Sequence, residues 1–266
     1  MFGISRQAYY QQNTRDLKRQ TALEEVKHLV INERIDMPRL GTRKLYYLLE
    51  DKFKERRLKV GRDKLFSFLR SEHMLIKPRK CYTKTTMSKH WLHKHPNKVK
   101  GRQFDQPEQL WVSDITYIKT KECNSYLSLV TDAVSRRIMG YHLSTDLKTE
   151  GVIKALQMAI GDRNFAGTLI HHSDRGLQYC SEDYQQVLSK HGIKTSMTDG
   201  YDCYQNALAE RVNGILKEEF LTQTYQNNDQ TAKVISQSIY IYNNKRPHLS
   251  LGYRTPNQVH KNPQSS

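Results

Sequence analysis

Trp111-Val-Ser-Asp-Ile-Thr-Tyr-Ile118 is the stretch on which the fold turns. It is dominated by β-branched and aromatic residues, the composition of a strand. Tyr126-Leu-Ser-Leu-Val-Thr131 and Arg137-Ile-Met-Gly-Tyr-His-Leu143 follow with turn residues between them, which predicts an antiparallel three-stranded meander. Glu150 to Ile160 places Val152, Ile153, Leu156 and Ala159 or Ile160 on one helical side. A fourth strand is expected at Thr168-Leu-Ile-His-His-Ser173, a helix at about Glu182–Lys190, a fifth strand at Ile193–Met197 and a long helix from near Asn206. The order βββαβαβα describes a mixed sheet with helices packed on it, an α/β architecture.

Upstream the pattern is helical. Residues 21–35 carry Leu23, Val26, Leu29 and Val30 at helical spacing, and Pro38 and Gly41 end that segment. Thr42 can cap a second helix with Leu45, Leu48 and Leu49. Gly61 precedes a third, with Leu65, Phe68 and Leu69 inward and Arg62, Lys64 and Arg70 outward. Three short helices with basic residues on the last suit a small all-α, helix-turn-helix-like unit over residues 1–76, and equally any small helical bundle. Residues 77–105 have no clear period and form a basic linker, which leaves 106–266 for the sheet, a C-terminal helix and a tail.

Charge separates the same two regions. The 266 residues hold 43 Lys and Arg against 27 Asp and Glu, a formal net charge of +16. Residues 1–110 contain 26 basic and 12 acidic side chains, and residues 111–266 contain 17 and 15. A lopsided basic segment beside a near-neutral one points to a polyanion, and nucleic acid is the favoured partner over solvated helix faces. No aliphatic run approaches the ~20 residues of a membrane span. The four cysteines form no CxxC pair, so a zinc ribbon and a disulfide scaffold are excluded and a reducing cytoplasm is expected.

Three carboxylates stand out by position: Asp114 inside the first strand, Asp174 just past the fourth, and Glu210 on the long helix, with 35 residues between it and Asp174. Each has an ordinary reading, as a solvent-facing strand residue, a turn residue and an exposed helix glutamate. Carboxylates at strand ends and on a packing helix can also converge, and oxygen-only clusters suit hard cations such as Mg²⁺. Two such ions can activate an attacking oxygen and stabilise a leaving one in phosphoryl transfer. Asn206, Glu210, Asn213 and Lys217 share one helix face, opposite Leu208, Val212, Ile215 and Leu216. Glu210 can thus face metal and substrate while Lys217 reaches a phosphate.

Four blocks carry a family resemblance. Trp111–Ile118, His172-Ser-Asp-Arg-Gly-Leu-Gln-Tyr179 and Asn206-Ala-Leu-Ala-Glu-Arg-Val-Asn-Gly-Ile-Leu-Lys-Glu-Glu219 resemble the catalytic blocks of bacterial insertion-sequence DDE transposases, relatives of retroviral integrases. Tyr242-Asn-Asn-Lys-Arg-Pro-His-Leu-Ser-Leu-Gly-Tyr-Arg-Thr-Pro256 resembles their C-terminal block. The stretches Met37-Pro-Arg-Leu-Gly-Thr-Arg-Lys-Leu45 and Gly61-Arg-Asp-Lys-Leu65 are similar to the helix-turn-helix-like region before their core.

The resemblance implies an RNase H-like five-stranded core in which Asp114, Asp174 and Glu210 hold Mg²⁺ or Mn²⁺, two ions in all. It implies cleavage at the ends of a mobile element and joining of the freed 3′-OH to another strand of double-stranded DNA. Lys217 matches a family lysine on the terminal DNA. Gln178 and Tyr179 match positions with structural or positioning roles. Asn213, Arg43, Lys44, Arg62 and Lys64 are the further expected DNA contacts. A homo-oligomer on DNA, nucleoid-associated in a bacterial cytoplasm, is expected. The opening Gly3-Ile-Ser-Arg-Gln-Ala-Tyr-Tyr10 looks like the tail of a DNA-binding segment, which suggests a second-frame product with an upstream-frame fusion partner. Two positions depart from the pattern: Gln205, where many relatives are acidic, and Gly214, where retroviral integrases carry a basic residue.

Other groups carry less. His90, His93 and His95 lack a cysteine partner at zinc spacing and fit a linker near phosphate better than a metal cluster. His171 and His172 are favoured as structural. Ser173 has no nucleophile-elbow glycines around it. Arg246 and His248 are expected to be free to approach DNA. A noncatalytic DNA-binding regulator and a same-fold nuclease remain the competing readings.

Overall fold

The computed structural model describes residues 5–77, 92–122, 124–199 and 206–263. His90, Gln205, the first four residues and much of the expected linker lie outside them. The chain divides into two compact units, Met1–Arg79 and Lys80–Ser266.

The first unit holds α1 (Arg6–Asp36), α2 (Thr42–Glu55) and α3 (Arg62–Ser71). Val26 and Val30 of α1, Leu45 and Leu49 of α2, and Leu65 and Leu69 of α3 are all buried, with Met37 and Leu40 filling the first turn. The first helix begins fifteen residues earlier than residues 21–35 predict. Its N-terminal half is polar and exposed all round, so no apolar period announces it. Those residues are nevertheless free of Gly and Pro, and the Ser5 hydroxyl caps the start by accepting from Ala8 N–H at 3.2 Å.

The second unit is built on β1 (Leu110–Lys119), β2 (Asn124–Asp132), β3 (Ile138–Ser144), β4 (Ile170–Ser173) and β5 (Lys194–Met197), in the sheet order β3-β2-β1-β4-β5. The pairs β1–β2 and β2–β3 are antiparallel, as the meander requires, and β1–β4 and β4–β5 are parallel. The connecting helices are α4 (Thr149–Gly161), the short α5 (Leu177–Cys180) and α6 (Glu182–Lys190). After β5 come α7 (Ala207–Ile215), α8 (Asn228–Asn244) and α9 (Pro256–Lys261). This is the mixed five-stranded sheet with flanking helices that the sequence predicts.

Both faces of the sheet are covered, which settles where β1 points. Trp111, Val130, Met139, Val152, Leu156, Tyr184 and Leu188 form the core under α4 and α6, with Ile115 packed against it. Leu110, Val112, Ile170 and Ala209 form a smaller cluster under α7. With side chains alternating along a strand, Val112, Asp114 and Thr116 face α7. Helix α8 is pinned to β3 by Asn243, whose side chain accepts from Ile138 N–H and donates to Ile138 C=O, both at 3.0 Å. Helix α9 starts on a Thr255/Gln258 capping box with Pro256 in its first turn. No helix of the described residues is long and apolar enough to cross a membrane.

Candidate active site

Strand register brings the two aspartates together. In the parallel β1–β4 pair, Ser113 stands opposite Ser173, and the next residue on each chain is Asp114 or Asp174. The chain turns sharply after Asp174, and Gly176 N–H donates to Asp174 Oδ1 at 3.0 Å. A Cβ at position 176 would itself meet that oxygen at 3.0 Å, so glycine lets the turn close against the carboxylate.

Helix α7 is sewn along β1 by three side-chain hydrogen bonds. Asn206 Nδ2 donates to Ser113 C=O at 3.1 Å, Asn213 Nδ2 to Asp114 Oδ2 at 2.7 Å, and Lys217 Nζ to Thr116 Oγ1 at 3.3 Å. These donors are three of the four residues on the polar face that the sequence identifies. Glu210, the fourth, lies between Asn206 and Asn213 and is exposed, whereas Asn206 and Asn213 are buried.

The electrostatics tie the three carboxylates to one another. Burial pushes the Asp114 carboxyl up to about 7, and the charges of Asp174 and Glu210 push in the same direction. The hydrogen bonds from Asn213 and Ile115 oppose them. Glu210, exposed as a residue, has a carboxyl partly screened from water and is raised as well, by that desolvation and then by Asp174. Each group is therefore easier to ionise when a cation is near. The donor set is all hard oxygen, and the buried Asn206 Oδ1 and Asn213 Oδ1 have no hydrogen-bond partner among the described residues, so the residue types fit a hard divalent ion. Among the described residues, no three His, Cys, Asp or Glu side chains are gathered tightly enough to hold a metal ion.

The other side chains singled out in the sequence make contacts within the fold. His171 is fully buried, with Nε2 2.7 Å from Ser113 Oγ and 2.9 Å from Tyr184 Oη, and burial pushes it down to about 3. His172 Nδ1 meets Ser196 Oγ at 2.9 Å. Gln178 Nε2 donates to Leu147 C=O at 2.7 Å and Tyr179 is buried. His93 and His95 pack edge to face, 4.9 Å between ring centres.

The expectation for Arg246 and His248 is wrong. Both are buried, and Arg246 forms a bidentate pair with Glu219, because a buried guanidinium needs a carboxylate. In the first unit, Arg43, Arg62 and Lys64 are exposed and Lys44 is half-buried. Arg62 Nε pairs with Asp63 at 3.1 Å, and Lys64 Nζ donates to Lys59 C=O at 3.2 Å.

Comparison with known proteins follows the same lines. Two models, each described as an integrase core domain, match residues 105–203 and 191–256. An insertion element IS600 uncharacterized 31 kDa protein from Shigella sonnei is 35% identical, across 96% of this chain and 94% of its own length. The chain belongs to the bacterial insertion-sequence transposases.

A second transposase, that for insertion sequence element IS629 of Shigella sonnei, is 34% identical over 60% of this chain and 55% of its own length. The chain also resembles a solved simian T-cell lymphotropic virus intasome in complex with PP2A regulatory subunit B56 gamma, with a TM-score of 0.53. That likeness covers 85% of this chain and 73% of the other, at 19% identity, and concerns the fold. In this transposase the sequence alone misses three anchors, the bond from Asn206 to the β1 backbone, the seat of Lys217 on Thr116 and the bond to Asp114 from Asn213, which the sequence reading gives only as a DNA contact. Their signal is the 4, 3, 4 spacing of the polar face, which indicates a shared face but not its partner strand.

Proposed function

We propose that the chain catalyses metal-dependent cleavage of a DNA strand at the ends of a mobile element and transfer of the freed end to another strand. Asp114, Asp174 and Glu210 are the catalytic carboxylates and would hold Mg²⁺ or Mn²⁺. The observation that carries this reading is the β1–β4 register that sets Asp114 beside Asp174, with burial first and then the charges of Asp174 and Glu210 raising Asp114 to about 7. Bound there, the metal would supply a Lewis acid for a phosphoryl oxygen and its neighbours.

The chain's own residues have separate tasks. Asn213 orients the Asp114 carboxylate through Oδ2. The Gly176 N–H fixes Asp174. Lys217, seated on Thr116 beside the carboxylates, meets the phosphate backbone of the element end. Hydrolysis forms a bond from water oxygen to phosphorus and breaks the bond to the 3′ oxygen, which leaves as the 3′-OH. Joining repeats the substitution at a target-strand phosphorus: the freed 3′ oxygen bonds to it, the target's own 3′ oxygen departs, and the proton lost by the attacking hydroxyl is made up on the departing oxygen through solvent. We assign residues 1–76, with Arg43, Lys44, Arg62 and Lys64, to docking on duplex DNA, residues 77–105 to a basic linker and 106–266 to the catalytic core. The excess of basic residues before position 110 supports that division.

The test is a strand-transfer assay with Mg²⁺ on duplex oligonucleotides copying the inverted repeats that flank the gene. Cleavage followed by joining is the expected result. Cleavage without joining indicates a nuclease, and binding alone indicates a regulator.

A further inference from the structure

The segment from Tyr242 to His248 has no place in the chemistry above, yet it contains a deeply buried cation. Arg246 is 1% exposed. Its Nε and Nη2 donate to Glu219 Oε2 and Oε1 at 2.8 and 2.6 Å, and Nη1 lies 3.0 Å from His248 Nε2. Its guanidinium carbon lies 5.8 Å from the centre of the Tyr242 ring. A phosphate contact needs an outward guanidinium, and this one is engaged inward on every side described.

Glu219 sits in an unusual place. Residues Leu216–Phe220 form a π-helical turn that directly continues α7, closed by Leu221 N–H donating to Leu216 C=O at 2.8 Å. Such turns hold one residue more than an α-helical turn and persist where surrounding contacts demand them. Here the demands come from both ends. On the side of α7, Asn206 and Asn213 hold the helix to β1 and Lys217, at the start of the turn, bonds Thr116; towards the far end of the turn, Arg246 fixes Glu219. The extra residue reconciles the two anchorages, and Lys217 is the second residue of the turn.

We propose that Glu219 and Arg246 are a positioning pair which holds the π turn so that Lys217 stays seated on Thr116, aimed at the DNA backbone. The pair acts through Lys217 and touches no substrate. The proposal rests on the reading of Lys217 as a DNA contact, and its test separates the two ideas.

Glu219→Gln and Arg246→Lys are made in the full chain, and circular dichroism selects the variants that keep the wild-type fold. The first measurement needs no DNA: acylation of lysine amines by an N-hydroxysuccinimide ester, followed peptide by peptide by mass spectrometry. Lys217 should label several-fold faster in either variant, while Lys64 in the first unit labels at the wild-type rate. Wild-type labelling of Lys217 in both variants overturns the proposal. The second measurement is the salt dependence of binding to the inverted-repeat duplex. Each variant should lower the slope by about one phosphate contact, with no further loss when combined with Lys217→Ala. A further loss in the combination with Arg246→Lys means that Arg246 itself meets phosphate, and the proposal fails. An unchanged slope for Lys217→Ala alone removes Lys217 from the DNA contacts, and the labelling rates still decide whether the pair positions it.

Discussion

Asn213 Nδ2 donates to Asp114 Oδ2 at 2.7 Å, so the helix carrying Glu210 is joined to the strand carrying Asp114 at the carboxylate itself. Two elements far apart in sequence are thereby locked at the atoms proposed to meet the metal. Asn213→Ala should lower cleavage by about 10- to 100-fold, the usual cost of losing a group that orients a metal ligand. Mn²⁺ affinity, read by electron paramagnetic resonance, should fall alongside. Wild-type affinity and rate together would show that Asp114 is oriented without Asn213.

The raised Asp114 carboxyl gives a signed pH dependence. Its folded value, about 7, lies above the ordinary 3.8. Its contribution to stability is therefore complete below pH ~4 and is lost as pH rises through 7. In chelator-treated protein, Asp114→Asn should match wild type near pH 4 and exceed it by about 2–4 kcal/mol at pH 8. Urea titrations at the two pH values measure this. A gap that does not change with pH would mean that Asp114 is not destabilised by charge.

Lys217→Ala should weaken binding to the element end and reduce the slope of log K against log salt by about one. Fluorescence anisotropy across a salt series measures it. Loss of affinity at constant slope would point to altered packing on Thr116 instead.

Gly140 tests the packing beneath the site. A Cβ there would lie 2.1 Å from Ala155 C=O and 2.7 Å from Ala159 N, both backbone atoms of α4. Gly140→Ala should cost about 3 kcal/mol, the upper end for overpacking. A urea midpoint unchanged from wild type would mean that α4 can move away freely.

Much of this is legible in the sequence. The strand at Trp111–Ile118, announced by its β-branched and aromatic composition, and the helix at about Glu182–Lys190 fall where expected. The first half of α1 does not, because exposed polar residues form helix there without an apolar stripe. The polar face of α7 was readable from spacing, but its contact with β1 depends on tertiary placement. Arg246 was misjudged for a related reason. Its partner, Glu219, lies 27 residues away, and nothing local distinguishes a buried arginine from one facing DNA.

The central claim is that Asp114, Asp174 and Glu210 act as one catalytic group. Glu210→Gln changes a single oxygen donor on an exposed side chain and leaves the bonds of Asn206, Asn213 and Lys217 in place. The decisive measurement is cleavage and strand transfer by this variant on inverted-repeat duplexes with Mg²⁺, beside its affinity for the same DNA. Near-wild-type binding with no cleavage or joining is the predicted result. Wild-type cleavage and joining by Glu210→Gln would remove Glu210 from the chemistry and the triad with it.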